Sequence, residues 1–173
     1  GRMLGLVFSL PLLNKIFKKQ VDISRELFSN QIYLQNEILN KSEKISLLLS
    51  KYETENSVSF GCANKIVFKN KEYSIQYLSF LERIDNMSSF SDFRQINSLM
   101  EIGGGYGGNI HLLLQNYKNL KKIVYVDIFP NLFIGTEYLR SHFGSAVKDY
   151  TLYHDKGEIK FNNDNKLEII CIP

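Results

Sequence analysis

Apolar and polar positions change rhythm twice along this chain. Between residues 22 and 52 neither Gly nor Pro occurs, and Leu27, Leu34, Ile38, Ile45, Leu48 and Tyr52 recur at helical spacing. That pattern predicts one long amphipathic helix whose stripe reads as core, with a dimer seam as the alternative use. A turn region follows at 56–64. Apolar runs at Lys65–Phe68 and at 72–73 then flank Asn70, which predicts a short hairpin. Ser74 is placed to cap a helix whose face is Tyr77, Phe80, Leu81, Ile84 and Met87. Residues 1–94 therefore read as a mostly helical N-terminal extension.

From about Gln95 the pattern becomes strand, helix, strand, helix, strand. Residues 96–102 form a short apolar run ending in a glycine cluster, and Ile110, Leu113, Leu114 and Tyr117 mark an amphipathic helix. Residues 122–127 give a second strand. Residues 131–143 give a second helix closed by Gly144, and residues 167–172 give a third strand. Continuously apolar strands alternating with helices predict an α/β architecture, a Rossmann-like parallel sheet with helices on its faces. Residues 95–173 thus form one domain, and its three strands read as a C-terminally incomplete sheet.

Composition narrows the class without naming a chemistry. Across 173 residues, 44% are hydrophobic and 13% aromatic, ordinary for a chain that buries a core. The net charge of +3 is small, and the densest basic group, Lys15, Lys18 and Lys19, is interleaved with apolar residues. A nucleic-acid binder would carry a stronger, localised basic face, so no nucleic-acid partner is expected. The apolar run at 3–13 is broken by Pro11 and too short to span a bilayer, so stable membrane insertion is not expected either. Cys62 and Cys171 stand far apart with no CxxC pair or His/Cys cluster, which argues against a metal site and fits a reducing, cytoplasmic setting.

The glycine cluster carries the chemistry. Gly103, Gly104, Gly105, Gly107 and Gly108 lie between a strand's end and a helix's start, where parallel sheets bind ligands. A plain tight turn needs one or two glycines, not five. Gly103, Gly105 and Gly108 satisfy the dinucleotide pattern, so a nicotinamide cofactor has to be weighed. Against it stands Glu101, two residues before the first glycine. A carboxylate there attracts a ligand bearing an ammonium and a sulfonium, and repels a pyrophosphate. Asp127, at the end of the second strand, suits two roles: accepting hydrogen bonds from ribose hydroxyls, which is favoured, or capping the turn towards Pro130. A P-loop is excluded because no Gly-Lys-Ser/Thr follows, and a nucleophile elbow because no Ser or Cys stands among the glycines.

Glu101-Ile-Gly-Gly-Gly-Tyr-Gly-Gly108, Tyr125-Val-Asp-Ile-Phe-Pro-Asn-Leu132 and Glu137-Tyr-Leu-Arg-Ser-His-Phe-Gly144 together resemble the bacterial sugar O-methyltransferases, within the class I S-adenosylmethionine-dependent superfamily. The resemblance implies S-adenosyl-L-methionine as cofactor and a sugar or glycan hydroxyl as acceptor, in surface polysaccharide synthesis. It further implies that Glu101 faces the methionine end of the cofactor. Gly103, Gly104, Gly105 and Gly107 would form the cradle and Asp127 would hold the ribose, with Tyr106 and Asn109 as adjacent candidates. The catalytic base is not identified: His111, His142 and His154 read as surface or helix-end histidines, with His154–Asp155 the one local pair. Two alternatives stay open, a non-catalytic nucleoside-binding or interaction module that pairs through its N-terminal helices, and a nicotinamide-dependent oxidoreductase.

Overall fold

The computed structural model describes residue 36 and residues 42–54, 65–153 and 157–173. The chain divides into two compact units, Gly1–Ser42 and Glu43–Pro173, and the account below concerns the second. Most of the predicted long helix, the 3–13 run, Cys62 and the His154–Asp155 pair lie outside the described residues. The C-terminal turns of that helix are present as α1 (Ser42–Lys51). It buries Ile45, Leu48 and Tyr52 at the predicted spacing.

The hairpin forms as predicted. Strands β1 (Lys65–Phe68) and β2 (Lys71–Ser74) pair antiparallel with Phe68 opposite Lys71. The two turn residues, Lys69 and Asn70, both have positive φ (49° and 61°), which matches the strand twist in a two-residue loop. Helix α2 (Ile75–Ser88) follows at once, and the Ser74 hydroxyl accepts the Tyr77 N–H at 3.4 Å as its N-cap. Tyr77, Phe80, Leu81 and Ile84 are buried as expected, but Met87 is 45% exposed and does not belong to the face. The last turn of α2 is held instead through Asp85, which accepts from the Tyr52 hydroxyl, and Ser88, which lies 3.1 Å from the Tyr117 hydroxyl.

Four parallel strands make the main sheet: β3 (Ser98–Ile102), β4 (Lys122–Val126), β5 (Val147–Lys148) and β6 (Glu168–Ile172), in spatial order β3-β4-β6-β5. Helix α3 (Gly108–Asn116) joins β3 to β4, and α4 (Asn131–Phe143) follows β4. This is the expected α/β layering. The sequence predicted three strands, however, and the fourth, β5, has only two residues, too few to show any periodicity. It is held by pairing with Ile169 and Ile170 of β6.

Burial follows position in the sheet. The interior strands β4 and β6 bury Ile123, Val124, Tyr125, Ile169, Ile170 and Cys171, so both of their faces are covered. Strand β3 has a single neighbour among the described residues, and Met100 (58%) and Ile102 (77%) are exposed. In the doubly wound order the glycine-loop strand is interior, flanked on both sides. Here it is an edge. Among the described residues no helix is long and apolar enough to cross a membrane.

Candidate functional site

The glycine loop leaves β3 at Ile102 and enters α3 at Gly108. Its glycines answer two different demands. Gly103 (φ 72°) and Gly105 (φ 61°) hold left-handed backbone that side-chain-bearing residues rarely adopt, and space beside both is open. Gly104 and Gly108 are needed for room. A Cβ on Gly104 would stand 2.7 Å from Glu101 Oε2 and 2.9 Å from the Tyr125 ring, and one on Gly108 would stand 2.5 Å from Phe80 Cε2. Gly107 caps α3 without a side chain and packs towards Leu139.

Strand β4 grips the middle of the loop from below. Asp127 Oδ2 accepts the Gly105 N–H at 2.8 Å, and the Tyr125 hydroxyl donates to the Gly105 carbonyl and to Asn131 O. Both polar groups of Gly105 are therefore held by side chains two residues apart on one face of β4. Burial pushes the Tyr125 hydroxyl well above its ordinary range, so it remains a donor. The loop is further tied by Gly103 N–H to Val126 O at 2.8 Å.

Asp127 is thus more than a ribose candidate. It is 7% exposed, its Oδ1 accepts the Ile128 N–H at 2.8 Å, and its Oδ2 clasps Gly105. The bond to Ile128 is local and α4 has no side-chain cap, so the capping role weighed from sequence is not what holds this carboxylate, and the clasp on Gly105 was not foreseen. Each carboxylate oxygen retains a second lone pair, so capacity for a hydroxyl donor remains.

Glu101 sits at the loop's mouth, half-buried. Its Oε1 accepts from Asn109 Nδ2 at 2.8 Å, while Oε2 and Asn109 Oδ1 are buried without a hydrogen-bond partner among the described residues. Burial pushes the Glu101 carboxyl up, and the Asn109 hydrogen bond and the nearby charge of Arg83 oppose that shift. A buried, unpaired acceptor costs about 1–3 kcal/mol, more if ionised, and a cationic donor placed beside it recovers that cost. The carboxylate and the open positions at Gly103 and Gly105 fit a ligand with an ammonium group.

Tyr106 is placed differently from the glycines. Its ring packs on Phe80 (5.8 Å between centroids) and edge-on to Tyr138 (5.0 Å), so it joins the aromatic layer between helices. His111 belongs to the same layer and is not a surface residue: it is 2% exposed, with Nδ1 2.7 Å from the Tyr138 hydroxyl and its ring 3.9 Å from that of His142. Desolvation first, and the charge of His142 second, push its pKa down to about 4. It is a core histidine. Among the described residues there is no group of three or more His, Cys, Asp or Glu that could hold a metal ion.

Sequence reasoning missed Tyr125 and Gly135. Gly135, inside α4, has no room for a Cβ: one would collide with the Tyr125 hydroxyl and stand 2.8 Å from Gly105 O. The period of two along β4 could have flagged Tyr125 as sharing a face with Asp127. Exposed Ile102, Ile128, Phe129, Phe133 and Ile134 lie at the strand ends and on the first turn of α4, an apolar rim around the polar loop. Cys171 is a buried free thiol, as its apolar surroundings in the sequence predict. No protein-family model, curated protein or solved structure matches this chain.

Proposed function

We propose that this chain carries the cofactor site of an S-adenosylmethionine-dependent O-methyltransferase acting on a sugar hydroxyl, with surface polysaccharide synthesis as its setting. The observation that carries the proposal is Glu101 Oε2, a buried carboxylate oxygen with no hydrogen-bond partner among the described residues, beside a glycine loop open at Gly103 and Gly105. An ammonium group on the ligand supplies the missing donor, whereas a pyrophosphate would face a carboxylate. When bound, S-adenosylmethionine supplies a methyl group for in-line transfer to an acceptor oxygen.

The chain's own residues do the holding. Glu101 anchors the amino-acid end, oriented by Asn109. Gly103 and Gly105 let the ligand approach the backbone. Asp127 accepts from the ribose with the lone pairs its two backbone bonds leave over, so one residue fixes both loop and sugar. Proton removal from the acceptor hydroxyl is assigned to no residue here, and buried His111 is not positioned for it.

A second reading, a non-catalytic nucleoside-binding or interaction module, is favoured by the edge position of β3, which leaves the loop without a strand on its outer side among the described residues. Calorimetric titration with S-adenosylhomocysteine and with NADH separates the readings. The methyltransferase reading expects binding of the first alone. Binding of NADH alone refutes it, and binding of neither favours the module.

A further inference from the structure

One face of helix α4 lies against the glycine loop and the start of α3. Gly135 abuts Gly105 O and the Tyr125 hydroxyl, and Leu139 packs beside Gly107. Tyr138 meets the Tyr106 ring edge-on at 5.0 Å, and His142 stacks on His111 with ring centres 3.9 Å apart and planes inclined by 30°. Positions 135, 138, 139 and 142 are spaced by three and four, a single helical stripe, so one surface holds both the loop and the histidine pair. His111 is tied to the loop from its own side as well. Its N–H donates to Gly107 O at 3.1 Å, and its Nδ1 shares a 2.7 Å hydrogen bond with the Tyr138 hydroxyl. Whatever moves α4 off His111 therefore also uncovers Gly105, Tyr106 and Gly107.

The surroundings of His111, which is 2% exposed, suit a neutral ring. From α4 it faces Tyr138, His142 and Phe143, and from α2 the ring of Tyr77, whose hydroxyl donates to Gln115. From the loop, Tyr106 stands behind Tyr138. Among the described residues the charge that acts on His111 is that of His142, and no carboxylate offsets it. A proton on His111 thus enters a desolvated layer with a second imidazole against it, whereas in water the ring takes one up readily. We propose that the His111–His142 stack is a proton-sensitive latch: with the rings neutral it holds α4 against the glycine loop, and proton uptake favours a state in which α4 moves away. The device belongs to the fold and operates whatever ligand the loop takes. Burial holds His111 at about 4 against 6.5 in water, so the closed state binds the proton less readily than the open one. Opening is therefore favoured as pH falls below 6.5, and its equilibrium constant rises about thirtyfold between pH 7.5 and pH 5.

Hydrogen exchange read by mass spectrometry on the full chain tests the latch without any ligand, with rates corrected for the intrinsic effect of pH. In wild type, protection of loop residues 103–108 and of α4 should fall about thirtyfold between pH 7.5 and pH 5, and stay below that of β4 at both. His111→Gln, which cannot take up the proton, should show a fall of less than about threefold. If the loop and α4 share the protection of β4 at both pH values, they open only with the whole domain and the latch is overturned. A thirtyfold fall retained in His111→Gln overturns it as well, since the proton is then bound elsewhere. Should His111→Gln fail to fold, which circular dichroism shows, the wild-type imidazoles decide the matter by NMR. His111 should stay neutral until pH approaches 4, and titration near 6.5 in the folded chain overturns the proposal.

Discussion

Replacing Asp127 by Ala removes two hydrogen bonds, the one from Gly105 N–H that ties the glycine loop to the end of β4 and the local one from Ile128 N–H, both 2.8 Å long. Each stranded backbone donor costs about 1–3 kcal/mol, at the low end where water can reach it. Asp127 is 7% exposed, so partial rescue by water is expected and the two losses together come to roughly 2–4 kcal/mol. For a domain of this size that lowers the midpoint of thermal unfolding by roughly 4–16 °C. Asp127→Asn keeps one carbonyl acceptor and should lose about half as much. Circular dichroism melts of the three proteins measure this directly, without ligand. If Asp127→Ala unfolds within about 1 °C of wild type, the clasp contributes nothing and its geometry has been over-read. The consequence for ligand work is practical: weakened nucleoside binding by Asp127→Ala alone does not demonstrate a ribose contact, because the variant also frees the loop.

Gly135→Ala should destabilise by about 2–4 kcal/mol in urea titrations, although Gly to Ala inside a helix ordinarily stabilises by about 1 kcal/mol, because the new methyl meets the Tyr125 hydroxyl and Gly105 O. A more stable variant would refute the close packing of α4 on the loop. Burial holds His111 at a pKa of about 4, below its unfolded value of 6.5, so the unfolded state binds the proton more readily. Stability from this group is complete above pH 6.5 and is lost as pH falls towards 4, by up to about 3 kcal/mol. Urea midpoints at pH 7 and pH 4.5 should therefore diverge more for wild type than for His111→Asn, and parallel curves would contradict the assignment. Burial pushes the Cys171 thiol up to about 11, so in a Cys62→Ser background a thiol reagent should react only after denaturation. Rapid labelling of the native chain would contradict its burial.

The elements that the sequence made legible are those with enough residues to display a period. The hairpin around Asn70, the Ser74 cap, the helix ending before Gly144 and the strands β3, β4 and β6 all sit where the pattern put them. Strand β5 was invisible because two residues carry no alternation. The Met87 error arose because spacing alone does not say which side of the last turn is covered: Asp85 and Ser88 make its contacts, to Tyr52 and Tyr117, and Met87 points away from them into solvent. Strand order is beyond local pattern altogether: nothing in Ser98–Ile102 distinguishes an edge from an interior strand, and the exposure of Met100 and Ile102 appears only once neighbours are assigned. At the site, the glycines and the two carboxylates were readable from spacing. Their division of labour was not, because Asp127's clasp on Gly105 spans 22 residues.

The account turns on Glu101 as the ligand's ammonium anchor, and Glu101→Gln tests it with one atom changed in kind. The neutral amide keeps the shape, and removing a carboxylate that burial disfavours should leave the unliganded fold at least as stable. Titration of S-adenosylhomocysteine into wild type and Glu101→Gln is therefore a comparison of binding alone. Wild type should bind, and the variant should bind at least about tenfold more weakly. Equal affinity in the two proteins would contradict the central claim.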